Sequence, residues 1–600
     1  MNNMNDKKLY MNRSLLIILL SITIVNVCNA QIVKEYTTWN PAKDALQVLE
    51  GQAWPSDVKS FYDRLPAKAE AIVRKPVWDL SRNSAGLQLR FQTNADEIII
   101  KYMVTGQYQM PHMPATGVSG IDLYAKTIDG KWSWAAGKYA FGDTIVYRFT
   151  NLSTNDQHVK DHEYNLYLPL YNSVKWMEIS YPKQSSFKPL KSNSEKPIVV
   201  YGTSIAQGGC ASRPGLAWTN ILQRKLDRPI INLAFSGNGR LEDELIDMIS
   251  GIDANLFVLD CLPNLTGVYV TNGELHKRLV NAVVALQAKK PGIPILLTEH
   301  DGFTDEGMNP QRKKDYQDPN KVMTEVIDSL WKAGVKNIYR LTKEEINQDI
   351  ESTVDGTHPN DIGMMHYAEA YEKKIKSILL NNQGKSSTTI PVTQRRDAST
   401  YDWETRHNQI IQYTKENQPS IAFIGNSITH FWGGNPASSR INGKQTWEKY
   451  FGSKQVVNMG FGWDRIENVL WRVYHGELDN FSPEQIVLMI GTNNLQMNTN
   501  EEIIEGLQLL INAIKLKQPK AKLIMMGILP RRGMEERIVE VNKLIKRISA
   551  KEKINYADAG KSLVQGADNK IEESLFSDGL HPNEKGYDKI GAFIERKLKK

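Results

Sequence analysis

Two patterns of apolar and polar positions divide the chain. Residues 87–91, 98–102, 144–149 and 165–170 are short runs rich in apolar and aromatic side chains, with turn signals and no helix-length segment between them. Such runs predict antiparallel strands, so residues 31–190 are expected to form an all-β sandwich or jelly roll. After Pro197 the pattern changes to apolar strands at 198–201, 230–233, 256–259 and 295–297, alternating with amphipathic helical stretches. It then starts again, with strands at 421–424, 455–458, 486–490 and 523–526. Strand–helix alternation predicts a parallel sheet covered on both faces. The expected class is therefore α/β, with three-layer units over 196–380 and 400–600 behind the β domain. Residues 381–399, rich in Ser, Thr, Gln and Gly and holding Pro391, read either as a linker or as an ordered strap around one unit.

Composition adjusts this picture at its edges. A chain of 600 residues exceeds what one hydrophobic core holds, and 41% hydrophobic with 24% charged residues is a globular make-up. The net charge of +7 comes from 74 basic and 67 acidic residues spread along the whole length. No unit carries the dense basic stripe that duplex binding needs, so nucleic acid is excluded as an expected partner. Residues 1–30 stand apart, because Lys7, Lys8 and Arg13 precede an apolar run over 15–27 that ends in Cys28-Asn29-Ala30. This is the pattern of a signal peptide cleaved before Gln31, and the run is shorter than the roughly 20 residues of a spanning helix. Export to the periplasm or the exterior is expected, with no stable membrane insertion once the leader is removed. Cys210 and Cys261 then remain, too few for a disulfide scaffold. An oxidising compartment would allow a bridge between them, and the sequence leaves that open.

The two α/β runs repeat one set of motifs. Gly202-Thr203-Ser204-Ile205 corresponds to Gly425-Asn426-Ser427-Ile428, and Asp355-Gly356-Thr357-His358-Pro359-Asn360 to Asp578-Gly579-Leu580-His581-Pro582-Asn583. In both runs the serine precedes the histidine by 154 residues. A serine hydroxyl is a poor nucleophile at neutral pH, and acyl transfer requires an imidazole to take its proton and a carboxylate to orient that imidazole. Each repeat supplies all three. A serine that follows a buried strand and a glycine turn lies at the carboxyl end of a parallel sheet, where such folds place their chemistry. Asp-x-x-His brings carboxylate and imidazole onto about one turn of loop, and Pro359 and Pro582 set the exit of that loop.

These residues resemble the SGNH hydrolase superfamily, over about 196–380 and 396–600. The resemblance implies a flavodoxin-like fold for both units and nucleophiles at Ser204 and Ser427. It implies general bases at His358 and His581, held by Asp355 and Asp578. It also implies oxyanion holes built from Gly237 and Asn264 in the first unit and from Trp463 and Asn493 in the second. The third block, Asp260-Cys261-Leu262-Pro263-Asn264, departs from the family's Gly-x-Asn-Asp, and Trp463 stands where the family has glycine. The β domain resembles the module named for a Gly-x-Asp-Leu-Tyr motif, here Gly120-Ile121-Asp122-Leu123-Tyr124, that precedes GDSL-type lipase/acylhydrolase domains. The second unit is similar to the platelet-activating-factor acetylhydrolase branch through residues 458–464 and 491–494.

The expected protein is an exported serine esterase without metal or cofactor, acting on short acyl esters of small molecules or glycans, O-acetyl groups on carbohydrate first among them. The alternatives are a lipid or lysophospholipid esterase, or a glycan-binding protein in which one hydrolase unit is inactive. Oligomeric state is left open. Several further residues are assigned no chemistry. His112, His158 and His162 are expected in loops, as surface histidines rather than a metal site, of a β domain with no catalytic constellation of its own. Trp432, Trp447 and Trp471 are expected as packing or cleft wall, with Trp432 near the mouth because it follows Ser427 by five residues. Glu299, His300 and Asp301 are expected as structural residues or as lining of the first pocket.

Overall fold

The computed structural model describes residues 34–152, 162–566 and 570–599. The expected leader at 1–30 and His158 lie outside the described residues.

The N-terminal module holds two antiparallel sheets. One runs in the order Tyr36–Trp39, Val174–Pro182, Glu97–Val104, Ile145–Thr150, Lys138–Ala140. The other runs Phe187–Pro189, Gln88–Thr93, His162–Tyr167, Asp122–Lys126, Trp132–Ala135, with Leu49–Glu50 added beside Gln88–Thr93. Strand side chains alternate between faces, so Leu89 and Phe91 from one sheet and Ile98, Ile100 and Tyr102 from the other enter a single shared core. Arg90 points the opposite way yet is also buried, because the outer side of its sheet is covered by Glu404 of the second α/β unit.

Each α/β unit has a five-stranded parallel sheet of the same plan. In the first, Ile198–Gly202 lies between Ile230–Ala234 and Leu256–Asp260, followed by Ile295–Thr298 and Ile338–Leu341. In the second, Ile421–Gly425 lies between Val456–Gly460 and Gln485–Met489, followed by Lys522–Met526 and Asn555–Ala557. The first strand is buried on both sides: Ile198 and Val200 face one core, Val199 and Tyr201 the other. Ile421 and Phe423, against Ala422 and Ile424, repeat that division. This explains why these strands read as continuous apolar runs. Strand order reverses at this first strand, and the crevice at its carboxyl end is where such sheets bind ligands.

The module is joined to the first unit by apolar packing. Leu65, Ala69, Val77 and Trp78 enter one core of that unit, and Ala85, Met113, Val118 and Leu170 enter the other. Residues 381–399 run as a strap along the second unit. Thr388 Oγ1 donates to the Glu502 carbonyl at 2.6 Å, Asn498 donates to Ser387 Oγ at 2.8 Å, and the Arg395 N–H reaches the Ile128 carbonyl in the module at 2.8 Å. Close approach is possible because the helix Asn500–Lys517 presents Gly506 there; a Cβ at Gly506 would sit 2.6 Å from Thr388 Cβ. Among the described residues no helix is long and apolar enough to cross a membrane.

Candidate active sites

In the first unit Gly202 ends its strand, and Ser204 opens the short helix Ser204–Gln207. A side chain at Gly202 would meet Ala206 Cβ at 2.8 Å and the Asp260 carbonyl at 3.1 Å, so the turn into the helix closes only around glycine. Ser204 Oγ lies 2.9 Å from His358 Nε2, and His358 Nδ1 lies 2.8 Å from Asp355 Oδ2. The other carboxylate oxygen accepts the backbone N–H groups of Thr357 and His358 at 3.0 and 2.8 Å. One oxygen thus holds the loop and the other holds the imidazole, with Gly356 at φ +82° making the turn between them. Partial burial pushes the Asp355 carboxyl up, but the His358 N–H and imidazole outweigh it and hold the group below its ordinary value.

The second unit repeats this geometry. Ser427 Oγ is 2.9 Å from His581 Nε2, and His581 Nδ1 is 2.7 Å from Asp578 Oδ2. Asp578 Oδ1 accepts from Leu580 and His581 N–H at 3.0 and 2.7 Å, across Gly579 at φ +81°. Here the imidazole is held below its ordinary value, by burial first and then by Arg440 and Arg531, against the opposing pull of Asp578. Both chains of hydrogen bonds can carry a proton from serine to imidazole and keep the resulting imidazolium oriented.

The expected oxyanion-hole residues occupy matching places. Gly237 has φ +70° and Trp463 φ +62°, so both peptides turn in the left-handed region. For tryptophan that conformation costs on the order of 1–2 kcal/mol, which glycine avoids. The replacement keeps the backbone N–H and adds an indole that is 44% exposed. Asn264 accepts the Gly239 N–H at 3.2 Å through Oδ1, which leaves its amide hydrogens to be offered elsewhere. Asn493 donates one amide hydrogen to the Asp464 carbonyl at 2.9 Å and retains the second.

Two features differ from expectation, and a third, His112, is at the surface as expected but beside the first site. Trp432 is fully buried, stacked on Tyr587 at 4.9 Å, because the helix Ser427–His430 turns it into the core rather than toward the mouth. His162 begins a strand and does not sit in a loop. His112, exposed on the β module, sits with its ring centroid 5.8 Å from that of His358. The module also supplies Tyr171, whose hydroxyl donates to the Ser204 carbonyl at 3.0 Å. Its Gly-x-Asp-Leu-Tyr motif is a latch: Asp122 Oδ2 accepts from Arg213 Nη1 at 2.5 Å and from the Gly215 N–H at 2.9 Å, just beyond the nucleophile helix. Glycine is required at 120, where a Cβ would sit 2.3 Å from the Thr116 carbonyl. Cys210 and Cys261 are buried free thiols. Glu299, His300 and Asp301 are buried at the end of strand Ile295–Thr298, and Glu299 is tied to the Lys343 N–H at 2.9 Å. Trp471 donates its indole N–H to Asp227 of the first unit at 3.0 Å, so it serves the contact between units.

Comparison with known proteins follows the same division of the chain. Models of the GDSL-like Lipase/Acylhydrolase family match residues 195–376 and 423–589, and a model for the N-terminus of SGNH-hydrolase-type esterases, GxDLY, matches 36–187. Among curated relatives, platelet-activating factor acetylhydrolase IB subunit alpha2 of Homo sapiens is 32% identical over 148 residues, 24% of this chain. The chain spans 60% of the length of that relative. The alpha1 subunit of Rattus norvegicus is 25% identical over 213 residues, 35% of this chain and 87% of the relative. A crystal structure from Bacteroides ovatus described as a GDSL-like lipase is 33% identical, with a TM-score of 0.53, covering 58% of this chain and 98% of its own. The chain thus belongs to the GDSL-like lipase/acylhydrolase family, with two such domains behind one GxDLY-type N-terminal module.

Proposed function

We propose that this protein is an exported serine esterase that removes short acyl groups, O-acetyl groups on carbohydrate above all, at two independent sites. The observation that carries the reading is the pair of unbroken Ser–His–Asp chains, each with hydrogen-bond distances of 2.7–2.9 Å. In each site the imidazole takes the serine proton as Oγ bonds to the acyl carbon. The oxyanion formed is stabilised by the backbone N–H of Gly237 or Trp463 and the amide of Asn264 or Asn493. Collapse breaks the ester bond, and the leaving alcohol takes the proton from the imidazolium. Water then repeats the sequence on the acyl-enzyme and releases the acid.

An acetyl group as the acyl part is supported by the named activity of the acetylhydrolase relatives. A sugar as the alcohol part is supported by the exposed indole of Trp463, the residue whose N–H serves the second oxyanion hole; the indole is a flat apolar face of the kind on which sugar rings stack. Export is supported by the leader pattern of residues 1–30.

Hydrolysis of p-nitrophenyl acetate by the Ser204→Ala, Ser427→Ala and doubly substituted chains tests the chemistry. Each single substitution should remove one site's share, and the double substitution should lower kcat/KM by at least about 1,000-fold. Undiminished turnover in the double variant overturns the proposal. Acetate release from a panel of acetylated polysaccharides, run beside lysophospholipid hydrolysis, tests the substrate class; turnover of the lipid alone would replace carbohydrate with lipid ester.

A further inference from the structure

The residue three places after each nucleophile closes its short helix: Gln207 ends Ser204–Gln207, and His430 ends Ser427–His430. The two side chains are chemically unlike, are 0% and 2% exposed, and make the same bond. Gln207 Oε1 accepts the Ser236 N–H at 2.9 Å, and His430 Nδ1 accepts the Gly462 N–H at 3.1 Å. Ser236 and Gly462 immediately precede Gly237 and Trp463, the residues whose N–H groups the mechanism uses. The acceptor end of each side chain is fixed by its surroundings. Gln207 Nε2 donates to the Leu170 carbonyl at 3.2 Å and to Asn83 Oδ1 at 3.3 Å, so Oε1 must face Ser236. His430 is held between Tyr401 and Phe431, with ring centroids 4.8 and 5.2 Å away.

A second bridge runs parallel to the first. Asn232 donates to the Ala206 carbonyl at 2.7 Å and accepts the Ala234 N–H at 3.0 Å; Asn458 donates to the Thr429 carbonyl at 2.8 Å and accepts the Gly460 N–H at 2.9 Å. The nucleophile helix and the loop carrying the oxyanion donor are thus cross-linked at two levels in both units. Each peptide group is planar and is joined to the next only through φ and ψ of the residue between them, here Ser236 or Gly462, so holding that residue's N–H restricts the direction of the next.

We propose that Gln207 and His430 are positioning residues, each serving as the acceptor that holds the oxyanion-donor peptide in register with its own nucleophile. The proposal rests on the esterase reading above. Acceptance at Nδ1 requires His430 to be neutral and to carry its proton on Nε2. Burial, and then the cations Arg406 and Arg472, favour the neutral form and push the group down to about 2. A buried polar residue that served folding alone would need only some partner. The recurrence of one acceptor role in glutamine and in histidine, at the same offset and toward the same peptide, points to the loop that is held.

The test uses full-length chains with one site silenced. With Ser204→Ala in place, only the second site turns over p-nitrophenyl acetate, and His430→Phe, which keeps the ring and loses the acceptor, should lower kcat about tenfold or more with KM within twofold, a substantial part of the loss of a whole oxyanion donor. His430→Gln, the acceptor used by the first unit, should restore most of that kcat. With Ser427→Ala in place, Gln207→Met should behave as His430→Phe does. Unchanged kcat in both acceptor-free variants overturns the proposal, as does a His430→Gln variant no better than His430→Phe. Loss of the esterase reading itself would appear separately, as turnover indifferent to both serines. The tautomer is then read without turnover by ¹⁵N NMR of histidine-labelled chain: an unprotonated Nδ1 is expected for His430, and a protonated Nδ1 overturns the assignment.

Discussion

His581 shows how much one side chain's surroundings decide. It must be neutral to take the serine proton, and burial holds it below the 6.5 of an ordinary histidine, with Arg440 and Arg531 acting in the same direction and Asp578 against them. A base held low stays unprotonated to lower pH, so the sign of the effect is an acid limb moved downward. In a chain with Ser204→Ala, the acid limb of kcat/KM should fall at a pH below 6.5, the ordinary value from which His581 is lowered. Arg440 lies 3.8 Å from Asp578 Oδ2 and stacks over Phe431, so it is near enough to matter. Arg440→Gln removes a cation that disfavours the imidazolium, and the limb should move up. A pH–rate profile of the two chains checks both statements; a limb above 6.5, or one that moves down in the variant, contradicts them.

At the scale of elements, the site divides into what local pattern carries and what it does not. The serines and the Asp-x-x-His loops were legible because each lies within a few residues of a strand end or a helix start, and because the 154-residue spacing recurs. Faces of the parallel strands were legible as continuous apolar runs for the same reason: burial on both sides is written into every residue. The loop over 105–119 was not legible as part of the first site. Its position over His358 depends on Met113 and Val118 entering a core of the first unit, on Thr116 Oγ1 bonding the Ser212 carbonyl at 2.7 Å, and on the Asp122 latch. None of those contacts leaves a periodic trace. Trp432 misled for the opposite reason, since nearness to Ser427 in sequence says nothing about which side of a short helix a ring leaves from. Because His112 reaches the His358 imidazole from this loop without bonding Ser204, His358 or Asp355, it should act on substrate under the proposed chemistry. In a chain with Ser427→Ala, His112→Ala should raise KM roughly threefold to tenfold, about 1 kcal/mol of binding, with kcat within about twofold. Steady-state kinetics decide it: a fall in kcat at constant KM would make His112 part of the proton path instead.

The whole molecule is assembled by two kinds of contact. The β module and the first unit share apolar cores, whereas the second unit meets them through charge. Arg90, side chain 9% exposed, pairs with Glu50 at 3.0 Å and Glu163 at 2.7 Å within the module and with Glu404 of the second unit at 2.7 Å. Arg395 of the strap also pairs with Glu163, Arg396 pairs with Asp129, and His475 meets Glu195 at 3.0 Å. Arg90, Glu50, Glu163, Glu404, Arg395 and His475 line a cavity of about 480 Å³ where the module and both units meet, and neither Ser204 nor Ser427 borders it. Burial first, and then the neighbouring Glu404 carboxylate, raise the Glu50 carboxyl against the opposing pull of Arg90, so this junction depends on a cation that three carboxylates share. Removing one member of a buried ion cluster leaves the others desolvated and uncompensated, at a cost of about 3–5 kcal/mol, while an apolar side chain of similar length preserves the packing. Arg90→Met should therefore lower the first calorimetric transition by on the order of 10 °C. Glu404→Gln, at a carboxylate 31% exposed, removes only the outermost partner and should shift it by no more than about 3 °C. Both triads lie outside this junction, so the two variants should keep parent kcat at 25 °C. Loss of turnover with the transition unmoved would mean that the charged seam governs the active sites rather than the assembly of the chain.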